Sequence, residues 1–217
     1  MIRTTRMLLA VGVCLALTGC VETPQENLPP ATDAAVDVIR MAAVGDSITA
    51  GDSPDLAGGV PGLESWVHYA IGPDVELVGG WAEPGASISQ MAEAVTVPFE
   101  ADVLVILAGT NDAEWISREE IDSGLRSIVD RAGVETIVLS SVPPNDLAIE
   151  NTLQLNESLE ITARQNGWTW VDSSAGLREG ERFAEGMTYD GVHPTQDGAR
   201  VIGEAIHAAV LEAVSVE

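Results

Sequence analysis

The stretch that decides the fold is Val103-Leu104-Val105-Ile106-Leu107, which runs directly into Ala108-Gly109-Thr110-Asn111-Asp112. Five apolar residues without alternation suit a parallel strand covered on both faces, and the glycine-led polar group after them reads as the loop at its carboxyl end. Working outward, Thr136 to Val142 is almost as continuously apolar, and Val38 to Val44, Val75 to Val78 and Trp168 to Val171 also read as strands. Amphipathic stretches separate them. Ser117 and Glu120 form a capping box ahead of a stripe of Ile121, Leu125, Ile128 and Val129, and Gly133 stands where a helix-ending glycine belongs. Leu155, Leu159 and Ala163 make the next stripe, stopped by Gly167; the last helix starts near Thr195 and carries Ile202, Ile206, Ala209 and Ala213. This alternation predicts one α/β domain over 38–217, a three-layer α/β/α sandwich with a central, mainly parallel five-stranded sheet and right-handed crossovers. In such sheets chemistry sits beyond the carboxyl ends of the strands.

Composition narrows the function. Ten positive residues, every one an Arg, face 34 acidic ones across 217 residues, for a net charge of −24. Without lysine there is no Walker phosphate loop, no Schiff-base chemistry and no Ser-Lys dyad. An acidic surface also lacks the basic patches that hold phosphate backbones, so no nucleic-acid partner is expected. The chain is short for a two-lobed solute-binding protein and shows no internal repeat.

Three loops at strand ends carry residues suited to catalysis. Gly45-Asp46-Ser47-Ile48-Thr49 follows the first strand and projects a serine from the sheet edge, where the next turn can offer backbone N–H groups to an anion. Thr49 rules out the Gly-x-Ser-x-Gly elbow, and the dinucleotide fingerprint lacks its third glycine. Gly109-Thr110-Asn111-Asp112 follows the third strand and can aim an amide N–H₂ over the sheet edge; by itself it also reads as an Asx-turn or capping cluster. Asp190-Gly191-Val192-His193-Pro194 precedes the last helix, and an Asp three residues before a His can hold the imidazole in one tautomer. His68 lies opposite the face of Leu63, Trp66 and Ala70, and His207 points away from the Ile202–Ile206 stripe. Both read as surface residues, which leaves His193 as the base. Asp46 and Asp112 are expected to shape their loops by accepting backbone N–H bonds.

These blocks, in this order, resemble the SGNH (GDSL) hydrolase family over nearly the whole of 38–217. The segment Gly79-Gly80-Trp81-Ala82-Glu83-Pro84-Gly85-Ala86-Ser87 is similar to the remaining family block, with Gly85 its best counterpart and Gly80 the alternative. The resemblance implies a flavodoxin-like SGNH fold and a Ser47–His193–Asp190 triad. It also implies an oxyanion hole built from the backbone N–H groups of Ser47 and Gly85 and the side-chain amide of Asn111. It calls for no cofactor, and the scattered carboxylates beside His193 show no metal-ligand spacing, so no metal is expected. A glycosidase built on paired acids leaves Ser47, Asn111 and His193 without roles.

The N-terminus reads as an address. Arg3 and Arg6 precede an apolar run from Met7 to Leu17, too short to span a bilayer stably, and Leu17-Thr18-Gly19-Cys20 resembles the lipobox of bacterial lipoproteins. The resemblance implies a signal peptide over 1–19, lipidation of Cys20, and a proline-bearing tether over 20–37. Cys14 leaves with the signal, so the mature chain has no thiol for a disulfide. The expectation is therefore an extracytoplasmic, membrane-anchored or secreted serine esterase, touching membrane only through its lipid, with a small-molecule or glycan ester as substrate. Short connections between strands and an aromatic content of 4% predict short acyl groups, such as acetyl esters on carbohydrate or cell-envelope polymer. Trp81 is a candidate to stack on a sugar, or to pack internally. The rival expectation is a non-catalytic lipoprotein that keeps the SGNH fold and binds a ligand or glycan in its cleft.

Overall fold

The computed structural model describes residues 38–112 and 117–215; the expected signal peptide over 1–19, Cys20 and the expected tether over 20–37 lie outside them. Five strands, β1 Ile39–Gly45, β2 Val75–Ala82, β3 Val103–Leu107, β4 Thr136–Ser140 and β5 Thr169–Val171, form a wholly parallel sheet in the order β2-β1-β3-β4-β5. Every residue of β3 is fully buried, as its unbroken apolar run requires. Among the described residues six α-helices complete the layers: α1 Ser47–Ala50, α2 Val67–Ala70, α3 Ile88–Ala94, α4 Arg118–Ala132, α5 Ile149–Asn166 and α6 Gln196–Ser215. Right-handed crossovers in this strand order place α2 and α6 together on one face of the sheet and α3, α4 and α5 on the other.

The order of strands positions the site. The chain leaves β1 toward β2 on one side, then crosses back over β1 to reach β3 on the other. The carboxyl ends of β1 and β3 therefore flank a switch point that no connection covers. Gly45 lies opposite Leu107 of β3 and Ala82 of β2, so the loops that follow all three strands open onto the same edge. Gly45 is itself required by crowding, because a Cβ there would stand 2.0 Å from Thr49 Oγ1 and 2.6 Å from the Leu107 carbonyl oxygen.

The helix signals hold. Ser117 caps α4 with Glu120 in a reciprocal box, Gly133 and Gly167 end α4 and α5 in the left-handed conformation, and Ile121, Leu125, Leu155 and Leu159 are buried. Four expectations need correction. β2 continues through Gly79-Gly80-Trp81-Ala82, expected as loop, because the small Ala42 and Ala43 of β1 lie beside the two glycines after a bulge. Leu63, assigned to an inward face with Trp66, is exposed, whereas Trp66 is buried. His207 is wedged rather than free: its Nδ1 lies 2.9 Å from the Ala70 carbonyl and its Nε2 3.6 Å from Asp74, tying α6 to α2. The connection from α1 to α2 is also long, spanning 51–66. It is closed by its own side chains, with Gly62 N–H donating to Ser53 and Glu64 N–H to Asp52. A short hairpin, β6 Arg178–Glu179 with β7 Arg182–Phe183, was not anticipated.

Replacing Gly45 with Ala forces the turn after β1 apart. The expected result is a loss of at least about 2 kcal/mol in urea-denaturation stability. A midpoint equal to that of the unaltered protein would mean that the turn yields freely.

Candidate active site

Ser47 opens α1 immediately after β1, its helical turn set by Asp46, whose carboxylate accepts the Ile48 N–H at 3.0 Å. The turn is braced from behind. Ser65 Oγ donates to the Thr49 carbonyl at 2.6 Å, and the buried Trp66 donates its ring N–H to Thr49 Oγ1 at 2.9 Å. The serine is thereby held half-exposed on a rigid support, with its hydroxyl 3.1 Å from His193 Nε2.

His193 and Asp190 share one tight loop. Asp190 Oδ1 accepts the N–H groups of Val192 and His193 at 2.9 and 2.8 Å, and Oδ2 lies 2.8 Å from His193 Nδ1. Thr188 Oγ1 closes the same loop, donating to the His193 carbonyl and accepting the Gly191 N–H. With these donors around it, the backbone N–H of His193 foremost, the Asp190 carboxyl is held down at about 2. It remains a carboxylate at any ordinary pH, fixing the tautomer in which Nδ1 carries the proton and Nε2 accepts from Ser47.

On the other side of Ser47, two bonds clamp the loop after β3 to the turn after β2. Asn111 Nδ2 donates to the Ala86 carbonyl at 3.0 Å, and Asp112 accepts the Ile88 N–H at the head of α3 through both oxygens, at 3.0 and 3.3 Å. Gly85 sits in this turn at φ +81°, exposed, with nothing within 4 Å of an added Cβ. Gly80 is different: it lies inside β2 beside Ala43, where a Cβ would meet the Ala43 carbonyl oxygen at 2.3 Å. Of the two glycines, only Gly85 stands past the sheet edge. The N–H groups of Ser47 and Gly85 donate to no acceptor among the described residues. Trp81, at the end of β2, lines a cavity of about 360 Å³ together with Pro84, Gly85 and Ala86.

Beneath the serine lies a buried acid. Asp46 is fully inaccessible, with the Thr110 hydroxyl beside its carboxyl. Burial lifts the Asp46 carboxyl from its ordinary 3.8 to about 6, against the lowering effects of the Ile48 N–H and the Thr110 hydroxyl. Burial raises Asp112 too, opposed by its bond from Ile88. Glu64 and Tyr189, which wall the other side of the serine, were invisible beforehand: they are 125 positions apart, and no local pattern joins them.

The family model for GDSL-like Lipase/Acylhydrolase matches residues 43–201. The chain belongs to that family. Ile48 stands where the family's G-D-S-L signature has leucine. An acetylxylan esterase from Xylanibacter ruminicola is 25% identical, over 80% of this chain but only 43% of its own length; the chain thus spans less than half of that relative. An acetylxylan esterase from Geobacillus stearothermophilus superposes with a TM-score of 0.62 at 18% identity, covering 81% of this chain and 95% of that one. A member of the lipolytic G-D-S-L family from Veillonella parvula gives 0.62 at 20% identity, over 82% and 99%. These two share the fold.

The raised Asp46 carboxyl makes stability depend on pH. A folded-state value above the unfolded one stabilises the protein fully below about 3.8, and that contribution disappears as pH rises through about 6. Asp46→Asn mimics the protonated acid. Between pH 4 and pH 7 the unaltered protein should lose on the order of 2 kcal/mol relative to this variant in urea titrations. Parallel curves would exclude the assignment.

Proposed function

We propose that this esterase hydrolyses short-chain acyl esters, acetyl above all, of neutral carbohydrate or cell-envelope polymers, with Ser47 as nucleophile, His193 as base and Asp190 as its orienting acid. The single observation that carries the reading is the unbroken line from Ser47 Oγ through both ring nitrogens of His193 to Asp190 Oδ2, at 3.1 and 2.8 Å. Ser47 Oγ attacks the acyl carbon while its proton passes to Nε2. The bond to the alcohol breaks, and the proton on Nε2 goes to the departing oxygen. Water then attacks the acyl-enzyme, giving a proton to Nε2, and Ser47 recovers its hydrogen as the carboxylic acid leaves. The N–H groups of Ser47 and Gly85 and the Asn111 amide stabilise the oxyanion, whose charge develops only in the transition state. The two acetylxylan esterases among the relatives fit acetyl on a sugar.

In the same reading, Cys20 carries a lipid that anchors the enzyme outside the cytoplasm. Cys20→Ser should move the protein from the membrane to the soluble fraction on cell fractionation, and an unchanged distribution would remove the anchor.

Hydrolysis of p-nitrophenyl acetate and of longer acyl esters tests the site. Ser47→Ala and His193→Ala should each lower kcat by at least about 10⁴-fold. Asn111→Ala should cost about 10²–10³-fold, whereas His207→Ala, away from the chemistry, should retain most activity. Equal losses at both histidines would mean that the base is misassigned, and faster turnover of long acyl chains would reject the short-chain preference.

A further inference from the structure

Tyr189 is the one aromatic among the exposed large hydrophobic side chains of the described residues, at 60% relative exposure. Exposed rings are ordinarily free to move, yet this one is held at both ends. Its hydroxyl donates to Glu64 Oε1 at 2.9 Å, and its backbone N–H donates to the His193 carbonyl at 3.0 Å. Glu64 is in turn positioned by its own N–H, which donates to Asp52 at 2.8 Å. Ordering an exposed side chain costs conformational entropy without burying area, so the fold gains little from this arrangement. What the ring and carboxylate do line is the cavity at Ser47, together with Gly51, His193 and Pro194.

Which half of an ester lies there follows from the chemistry. The departing oxygen takes its proton from His193 Nε2, so the alcohol half sits on the histidine side of Ser47. That is the side walled by Tyr189, the residue whose N–H is bonded to His193 itself. The turn of Gly85 reaches the same cavity through Pro84, and it also borders a second cavity with Trp81.

We infer that Tyr189 and Glu64 form the subsite for the alcohol half of the substrate, and that this half is a neutral, hydroxyl-bearing sugar ring. The inference rests on the Ser47–His193 reading and adds to it the residues that select the alcohol. A fixed aromatic face covers the C–H face of a pyranose at low entropic cost. The second Glu64 oxygen accepts no hydrogen bond among the described residues and is an acceptor for a sugar hydroxyl. An alkyl alcohol would leave that carboxylate unmatched. An anionic sugar would meet Glu64, Asp52 and Asp190 together.

The test compares two esters with the same acyl group, a monoacetate of methyl xyloside and ethyl acetate, with kcat and KM measured separately. Tyr189→Ala should lower kcat/KM for the sugar ester about tenfold more than for ethyl acetate, mainly through KM. Tyr189→Phe keeps the ring but loses its tie to Glu64, so it should fall between the two. Glu64→Gln should narrow the preference for the xyloside ester over the acetate of an anionic methyl glucuronide. Equal losses on both acetates would make Tyr189 a brace for the Asp190–His193 loop and overturn the subsite, as would no differential loss. Ser47→Ala keeps the two claims apart: if it still hydrolyses both esters, the catalytic reading itself fails, whereas its inactivity beside an indifferent Tyr189→Ala removes only the subsite.

Discussion

The pairing of β1 with β2 on one side and β3 on the other is the constraint from which the site descends. Because the chain reverses direction across the sheet at β1, the ends of β1 and β3 face a crevice that no crossover fills. The register then puts Gly45 beside Leu107, which brings the serine turn and the asparagine loop within reach of one another. Crowding at Gly45 has the same origin, since neighbouring strand ends this close leave no room for a side chain.

Around that crevice, buried carboxylates act as fasteners. Asp46 shapes the serine turn and Asp112 ties the loop after β3 to the head of α3, each by taking backbone N–H groups that otherwise lack partners. Burying these acids carries an electrostatic cost that the bonds only partly offset, visible in the raised Asp46 and Asp112 carboxyls. Asp190 is the opposite case. Exposed and ringed by donors, it stays ionised, and its charge remains available to the imidazolium. Three aspartates beside one serine thus divide into structural and electrostatic duties according to solvent access.

Much of this was legible in the residues. Unbroken apolar runs marked β3 and β4, and capping and terminating residues marked α4 and α5, because those signals are local. Gly79-Gly80 misled for the opposite reason: two glycines weaken a strand taken alone, and only the close approach of Ala43 to Gly80 makes a glycine necessary inside one. Short α3 escaped notice despite the Ser87–Gln90 box at its start, since seven residues carry too little periodicity to read. Ser47, Asn111, Asp190 and His193 stood out as a set of types in order, and the geometry brings Ser47, His193 and Asp190 into one hydrogen-bonded line. Their distances could not be read from spacing, and neither could the Tyr189–Glu64 contact, which depends on how the segment 51–66 folds back.

The loop that holds Asp190 and His193 has one further implication. Asp190 and His193 belong to a single self-closed turn, so their mutual geometry survives small displacements of α6. Of the two contacts in the proposed proton relay, only the one to Ser47 joins distant parts of the chain. Assembly of the relay therefore reduces to seating one prefabricated turn against one serine, a task with a single degree of misalignment to correct.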